Sequence, residues 1–162
     1  MSASDSSDPR AAQAALPAFA APSRLAWALG LAGLIPFLAG AALQWTSPPG
    51  WRMLAASALL TYGAVIVSFL GGIHWGLAMR GGRPSAPALL WGVAPSLLGW
   101  LAILLDLPRG HAVLVFSLLA CYAVDRAAYR RQGLAAWLPL RAALTVVASV
   151  SVALGGWAYW AR

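Results

Sequence analysis

The stretch Met53-Leu-Ala-Ala-Ser-Ala-Leu-Leu-Thr-Tyr-Gly-Ala-Val-Ile-Val-Ser-Phe-Leu-Gly-Gly-Ile-His-Trp-Gly-Leu-Ala-Met79 decides the fold. Its 27 residues contain no Asp, Glu, Lys or Arg, and its one side chain that titrates near neutrality is His74. An apolar run well beyond 18 residues is the signature of a transmembrane helix. At 1.5 Å per residue the run makes about 40 Å of helix, more than a hydrocarbon core of about 30 Å. The helix must therefore tilt, protrude or break, and Gly71-Gly72 is the expected place for a break.

Four further apolar stretches flank it, at 25–45, 86–105, 111–128 and roughly 140–160. Each is close to the length that spans a bilayer. The connections Thr46-Ser-Pro-Pro-Gly50, Gly81-Gly-Arg-Pro84 and Asp106-Leu-Pro-Arg-Gly110 have turn chemistry and are short, so consecutive helices should be antiparallel neighbours. Composition agrees. The 162 residues are 61% hydrophobic and 9% charged, against about 45–50% and about 25% in soluble domains, which excludes a soluble globule. The expectation is an all-α integral membrane protein: a bundle of five transmembrane helices, a long second helix, and kinks at Pro36 and Pro95. Residues 1–23, with Pro9, Pro17 and Pro22 among Ser, Asp and Ala, read as a disordered N-terminal tail ahead of a 24–162 transmembrane domain. Asp5 and Asp8 make it a poor signal or transit peptide, so it should be retained.

The formal charge of +7 comes from eleven Arg and four Asp. In a soluble protein it would suggest nucleic acid. Here the arginines sit at the ends of apolar runs, where they orient helices and meet anionic lipid, so no nucleic-acid partner is expected. Arg10, Arg24, Arg80, Arg83, Arg126, Arg130, Arg131 and Arg141 fall on the N-terminal side, against Arg52, Arg109 and Arg162 on the other. The N-terminus is expected inside and the C-terminus outside. Arg without Lys and abundant Ala suggest GC-rich coding, hence a bacterial inner (cell) membrane. Most tryptophans fall near span ends; Trp75 and Trp100 do not. Cys121 is the single cysteine, so there is no disulfide framework or thiolate metal site. No metal or cofactor is expected.

The segments Gly33-Leu-Ile-Pro-Phe-Leu-Ala-Gly40 and Gly92-Val-Ala-Pro-Ser-Leu-Leu-Gly99 share G-x-x-P-x-L-x-G, which is consistent with either a parallel internal repeat or chance in a Gly-rich chain. On the second span Ala64, Ser68, Gly72 and Gly76 recur every fourth residue, with Ser57 and Thr61 extending the stripe. This small-residue face is expected to be a helix-packing seam.

Ionisable groups at membrane depth are costly and tend to be paired or functional. His74 lies six residues before Arg80 and Asp125 five before Arg130, which puts both about 7–9 Å inside the same membrane edge. They define a candidate polar site with Tyr122, Arg126 and Tyr129. Asp125 has no obvious partner on its own helix, leaving His74, Arg24, Arg80, Arg83 or Arg141 to pair with it. Two readings stand: a proton-switching site tuned by the carboxylate, or an Asp–Arg staple between helices with His74 bonded to a carbonyl.

The run Tyr62–Gly76, with Gly33-Leu-Ile-Pro-Phe37 before it and Pro95-Ser-Leu-Leu-Gly-Trp100 after it, resembles the family called domain of unknown function 3429. The resemblance covers most of 25–160, with Ser68-Phe-Leu-Gly-Gly-Ile-His-Trp-Gly76 its most specific part. It implies a small multi-pass membrane protein of bacteria or eukaryotic organelles and no activity that can be assigned to a residue. No soluble-enzyme motif is present. Catalysis is therefore not the leading expectation. That is an interaction or accessory protein binding another membrane component, such as a protein partner in the lipid bilayer. The alternative is a small-molecule or proton-coupled carrier using His74 and Asp125.

Overall fold

The computed structural model describes residues 20–80 and 85–161. Most of the N-terminal tail, together with Arg83 and Arg162, lies outside the described residues. Among those described there is no strand, and five segments are long and apolar enough to cross a membrane: Arg24–Thr46, Pro49–Arg80, Ala86–Leu104, Leu107–Arg131 and Ala135–Trp157. The molecule is a multi-pass helical membrane protein.

The first span is two helices, α1 (Arg24–Ala32) and α2 (Ile35–Thr46), separated by a turn at Gly33 and Leu34. Pro36 explains the division. It has no N–H for the carbonyl four residues back and its ring would clash there, whereas in the first turn of a new helix the missing donor costs nothing. At Pro36 the span is thus interrupted by this turn, and the Tyr62 hydroxyl donates to the Gly33 carbonyl at 2.9 Å. The same ring packs edge-on against Phe37, centroids 5.2 Å apart.

The second span, α3 (Pro49–Arg80), is a continuous helix of 32 residues, about 48 Å long. The break expected at Gly71-Gly72 does not occur. Gly71 instead permits a close crossing with α4 (Ala86–Leu104): a methyl group there would run into the Gly92 carbonyl oxygen and lie 3.3 Å from Pro95 Cδ. α4 continues through the buried Pro95. Trp75, unexplained as an interfacial anchor, lies over Gly92 and donates its indole N–H to the Leu89 carbonyl at 2.9 Å. Trp100 is exposed on the circumference.

The packing seam of α3 departs from the stripe read in the sequence. Ala64 is buried against Gly99, and Ser68 is half-buried, donating to the Ala64 carbonyl at 2.8 Å. Gly72 and Gly76 are exposed with nothing within 4 Å of a built Cβ, and Ser57 and Thr61 are also exposed. The buried arc instead follows Leu60, Gly63, Val67, Leu70, Gly71 and His74. One residue is 100° of helix rotation, so the four-residue repeat of small side chains drifted off the arc that the neighbouring helices cover.

α5 (Leu107–Arg131) ends at Gly133, which has φ 74°. The Leu134 N–H then reaches the Tyr129 carbonyl at 2.8 Å, a left-handed glycine stop that reverses the chain. After a short 3₁₀ turn (Ala135–Trp137), α6 (Leu138–Trp157) returns against α5. Alternation of direction brings Arg24, Arg80, Arg126, Arg130, Arg131 and Arg141 to one end of the bundle. Trp137 ties that end by donating to the Ala20 carbonyl at 2.8 Å. At the opposite end Trp45 donates to the Leu154 carbonyl and Tyr159 to the Arg52 carbonyl, at 2.9 and 3.3 Å. Phe37, Leu59, Val67, Leu114, Leu118 and Val152 form the core, while Leu25, Phe69, Leu90 and Phe116 face outward, as an apolar lipid-facing circumference requires. The two G-x-x-P-x-L-x-G segments are used differently: the chain breaks before Pro36, whereas Pro95 sits inside a helix.

Candidate functional site

Three spans converge near the arginine-rich end on one carboxylate. Asp125 of α5 is 1% exposed. Its Oδ1 accepts from His74 Nε2 of α3 at 2.8 Å. Its Oδ2 accepts from Arg141 of α6, through Nε at 2.9 Å and through Nη2. An ionised carboxylate only accepts, so the proton in the His74 contact is on Nε2. His74 and Arg141 are themselves only 5% and 8% exposed. The arrangement cancels charge locally, with one guanidinium for one carboxylate and the imidazole filling the remaining oxygen.

Local sequence explains the register. Asp125 lies eight residues before Gly133 and Arg141 eight after it. An antiparallel reversal at that glycine therefore sets the two side chains level. Among the described residues, Arg141 of the cations weighed as partners pairs with Asp125. Tyr129, one turn beyond Asp125, is buried and within electrostatic reach of both Asp125 and Arg141. Cys121, one turn before, is buried on the same face. Tyr122 is half-buried, and Arg126 points outward and is exposed. The structure thus brings together His74, Asp125 and Tyr129 from the expected set, adds Arg141, and leaves Arg126 outside.

Beside this triad a cavity of about 410 Å³ opens between the first span and α3, α5 and α6. Its walls are almost entirely apolar, including Gly30, Phe37 and Ile73, and its polar wall groups are Arg141, Tyr129 and Thr145. His74 and Asp125 do not line it. Thr145 is 3% exposed and its hydroxyl has no hydrogen-bond partner; the same holds for Ser149, 7% exposed and one turn farther along α6, which does not line the cavity. Hydroxyls within a helix ordinarily bond back to the carbonyl four residues earlier. Thr46, Ser68, Ser117 and Ser151 all do so here, at 3.0, 2.8, 2.7 and 2.8 Å.

Two buried polar groups at the opposite end also escaped sequence reasoning. His111 is 2% exposed; its Nδ1–H donates to the Leu107 carbonyl at 2.6 Å and its Nε2 has no partner. Gln44 is fully buried, donating to the Gly40 carbonyl at 3.1 Å while its Oε1 is unpartnered. The signal that marks them is the pair Gly155-Gly156 on α6: a methyl group at the first would lie 2.6 Å from Gln44 Nε2, and at the second 2.8 Å from His111 Cβ.

The geometry can staple three helices and shelter an apolar molecule. Among the described residues no group of His, Cys, Asp and Glu is placed to hold a metal ion. The family model described as protein of unknown function (DUF3429) matches residues 22–156, a stretch that includes the triad and the cavity walls. Transmembrane protein 69 of Xenopus tropicalis is 37% identical over 130 residues, which is 76% of this chain and 50% of that protein. Transmembrane protein 69 of Mus musculus is 36% identical over 86 residues, 51% of this chain and 35% of that protein. The chain therefore spans half or less of the length of these curated relatives. No solved structure matches it. With five apolar spans and a family match over most of its length, the chain belongs to the DUF3429 family of multi-pass membrane proteins.

Proposed function

We propose that the protein is an accessory component of its membrane, acting by binding another membrane component rather than by transporting or transforming a substrate. The observation that carries this reading is the saturation of Asp125. A carboxylate engaged on both oxygens, compensated by a guanidinium and set back from the cavity is suited to holding α3, α5 and α6 together. The membrane we assign is a bacterial cell membrane, on the strength of Arg used without Lys and abundant Ala, with the arginine-rich end on the cytoplasmic side, on the strength of the arginine distribution.

The test is purification of the full chain from its native membrane in mild detergent, with crosslinking before extraction. A component recovered reproducibly and in fixed proportion is the expected result, and repeated recovery of the chain alone overturns the reading. The 2.8 Å His74–Asp125 contact favours a second reading, a proton-coupled carrier. That reading requires that His74→Ala or Asp125→Asn abolish a flux in proteoliposomes while the bundle stays folded. Unchanged flux in a stable variant removes it.

A further inference from the structure

The cavity beside Arg141 has features that go beyond a packing defect. It extends from Trp137 of the 3₁₀ turn along α6 to Ala148, about 16 Å. Its volume falls within the range of about 300–1,000 Å³ typical of small-molecule sites. Its polar groups are gathered toward the arginine-rich end, with Thr145 one helical turn deeper than Arg141. The remainder is apolar toward the middle of the bundle.

The outer wall is the least anchored helix of the protein. α1 buries none of its residues. Only 11% of the first span's apolar window is buried, against 44% for the spans of α3 and α6. The turn at Gly33 and Leu34 separates α1 from α2. Displacement of α1 would admit a molecule dissolved in the bilayer to the cavity.

We infer that the cavity binds a neutral single-chain lipid whose carbonyl accepts a hydrogen bond from the Thr145 hydroxyl. This deepens the accessory reading, and rests on it, by naming the class of component bound. Thr145 lines this cavity, and its buried hydroxyl, like that of Ser149 one turn farther along α6, has no hydrogen-bond partner; a change of rotamer, exchanging hydroxyl and methyl, would turn the donor toward a space otherwise fit for hydrocarbon. Neutrality follows from the triad. Arg141 is already committed to Asp125, so a second carboxylate or phosphate in the cavity would put two anions on one buried guanidinium. A carbonyl imposes no such repulsion. Two sources supply this chemistry, an isoprenoid quinone and a monoacyl ester.

The experiment reconstitutes the full chain in phosphatidylcholine vesicles with one of three photoactivatable probes: a diazirine isoprenoid quinone, a diazirine monoacylglycerol, or a diazirine phosphatidylcholine representing bulk lipid. Labelled peptides are mapped by mass spectrometry. The expected result is saturable labelling of α1 and the Leu140–Ala148 stretch of α6 by the quinone or the monoacylglycerol. The unlabelled form should compete and excess phosphatidylcholine should not. Which probe labels identifies the source. Thr145→Val should weaken binding about five- to tenfold, the worth of one hydrogen bond. Gly30→Leu, which fills the cavity from α1, should abolish it. Unaltered melting temperatures establish that both variants are folded.

Labelling by both neutral probes no stronger than by phosphatidylcholine, or unchanged in Thr145→Val, overturns the inference. Co-purification of a protein partner alongside such a negative result leaves the accessory reading standing without this site. Catalysed movement of the bound probe between membrane leaflets would instead overturn the accessory reading and keep the site.

Discussion

Replacing Asp125 tests whether the triad is a staple. Asp125→Asn keeps the side-chain shape but leaves the Arg141 guanidinium, 8% exposed, without a counter-charge. Arg141→Met does the reverse, leaving a carboxylate that is 1% exposed facing only His74. Removing one partner of a buried ion pair costs about 3–5 kcal/mol, most of it the penalty on the charge left behind. At about 2–4 °C per kcal/mol for a protein of this size, each single variant should melt about 6–20 °C below the wild type. The double variant leaves no orphan charge and should recover most of the loss, since apolar replacements of buried pairs are often close to neutral. The assay is thermal unfolding in mild detergent, followed by the fluorescence of the nine tryptophans. Independent losses add to within about 0.5 kcal/mol; a double variant whose destabilisation equals the sum of the singles would falsify the staple. His74→Leu leaves the Asp125–Arg141 pair whole and should cost about 1.5–3 kcal/mol, the worth of a hydrogen bond to a charged group.

The other expectations concern packing and the far end of the bundle. Gly71→Ala drives a methyl group into the Gly92 carbonyl and should cost about 1–3 kcal/mol, whereas Gly72→Ala, one residue on, meets open space and should leave the melting temperature unchanged or raised. Tyr62→Phe removes the donor at the break in the first span and should cost about 1 kcal/mol, with faster hydrogen exchange confined to α1 and the start of α2. Burial pushes the Tyr159 phenol above its ordinary value of 10.0, with Arg52 opposing the rise. Because its folded value is the higher one, its contribution is complete below about pH 10 and lost as pH climbs through the folded value. Tyr159→Phe should accordingly flatten the alkaline limb of a stability–pH curve.

The number of spans, their antiparallel order and the shared depth of His74 and Asp125 were legible, because each follows from one-dimensional quantities: apolar run length, loop length and distance from a terminal arginine; that the two side chains touch was not legible. The choice of Arg141 was legible too, in its symmetry with Asp125 about Gly133, although the left-handed glycine had to be recognised as the pivot. What eluded the sequence is rotational. A 32-residue apolar helix has small residues on several faces, and only the positions of its neighbours decide which is covered. Ala64 was therefore placed correctly while Gly72 and Gly76 were not. Proline behaved the same way: the motif around Pro36 and Pro95 is shared, yet one ends a helix and the other is packed inside one. Thr145 gave no signal at all, since a threonine among aliphatic residues in a span is ordinary until its hydroxyl is found without a carbonyl.

Arg141 belongs both to the staple and to the cavity wall, and this joins the two halves of the functional reading. A helix none of whose residues is fully buried, such as α1, has the most to gain from what fills the space behind it. A ligand present at 100 times its dissociation constant would stabilise the state that binds it by about 2.7 kcal/mol. That gain should appear where the fold is weakest, as slowed hydrogen exchange over α1, rather than at the already locked triad. Thr145→Val should lose this protection while keeping the ion pair. Asp125→Asn should do the opposite, loosening α5 and α6 yet leaving the Thr145 hydroxyl in place. Two variants 20 residues apart in sequence and one helical turn apart across the Arg141 side chain would then separate what holds the bundle together from what the bundle holds.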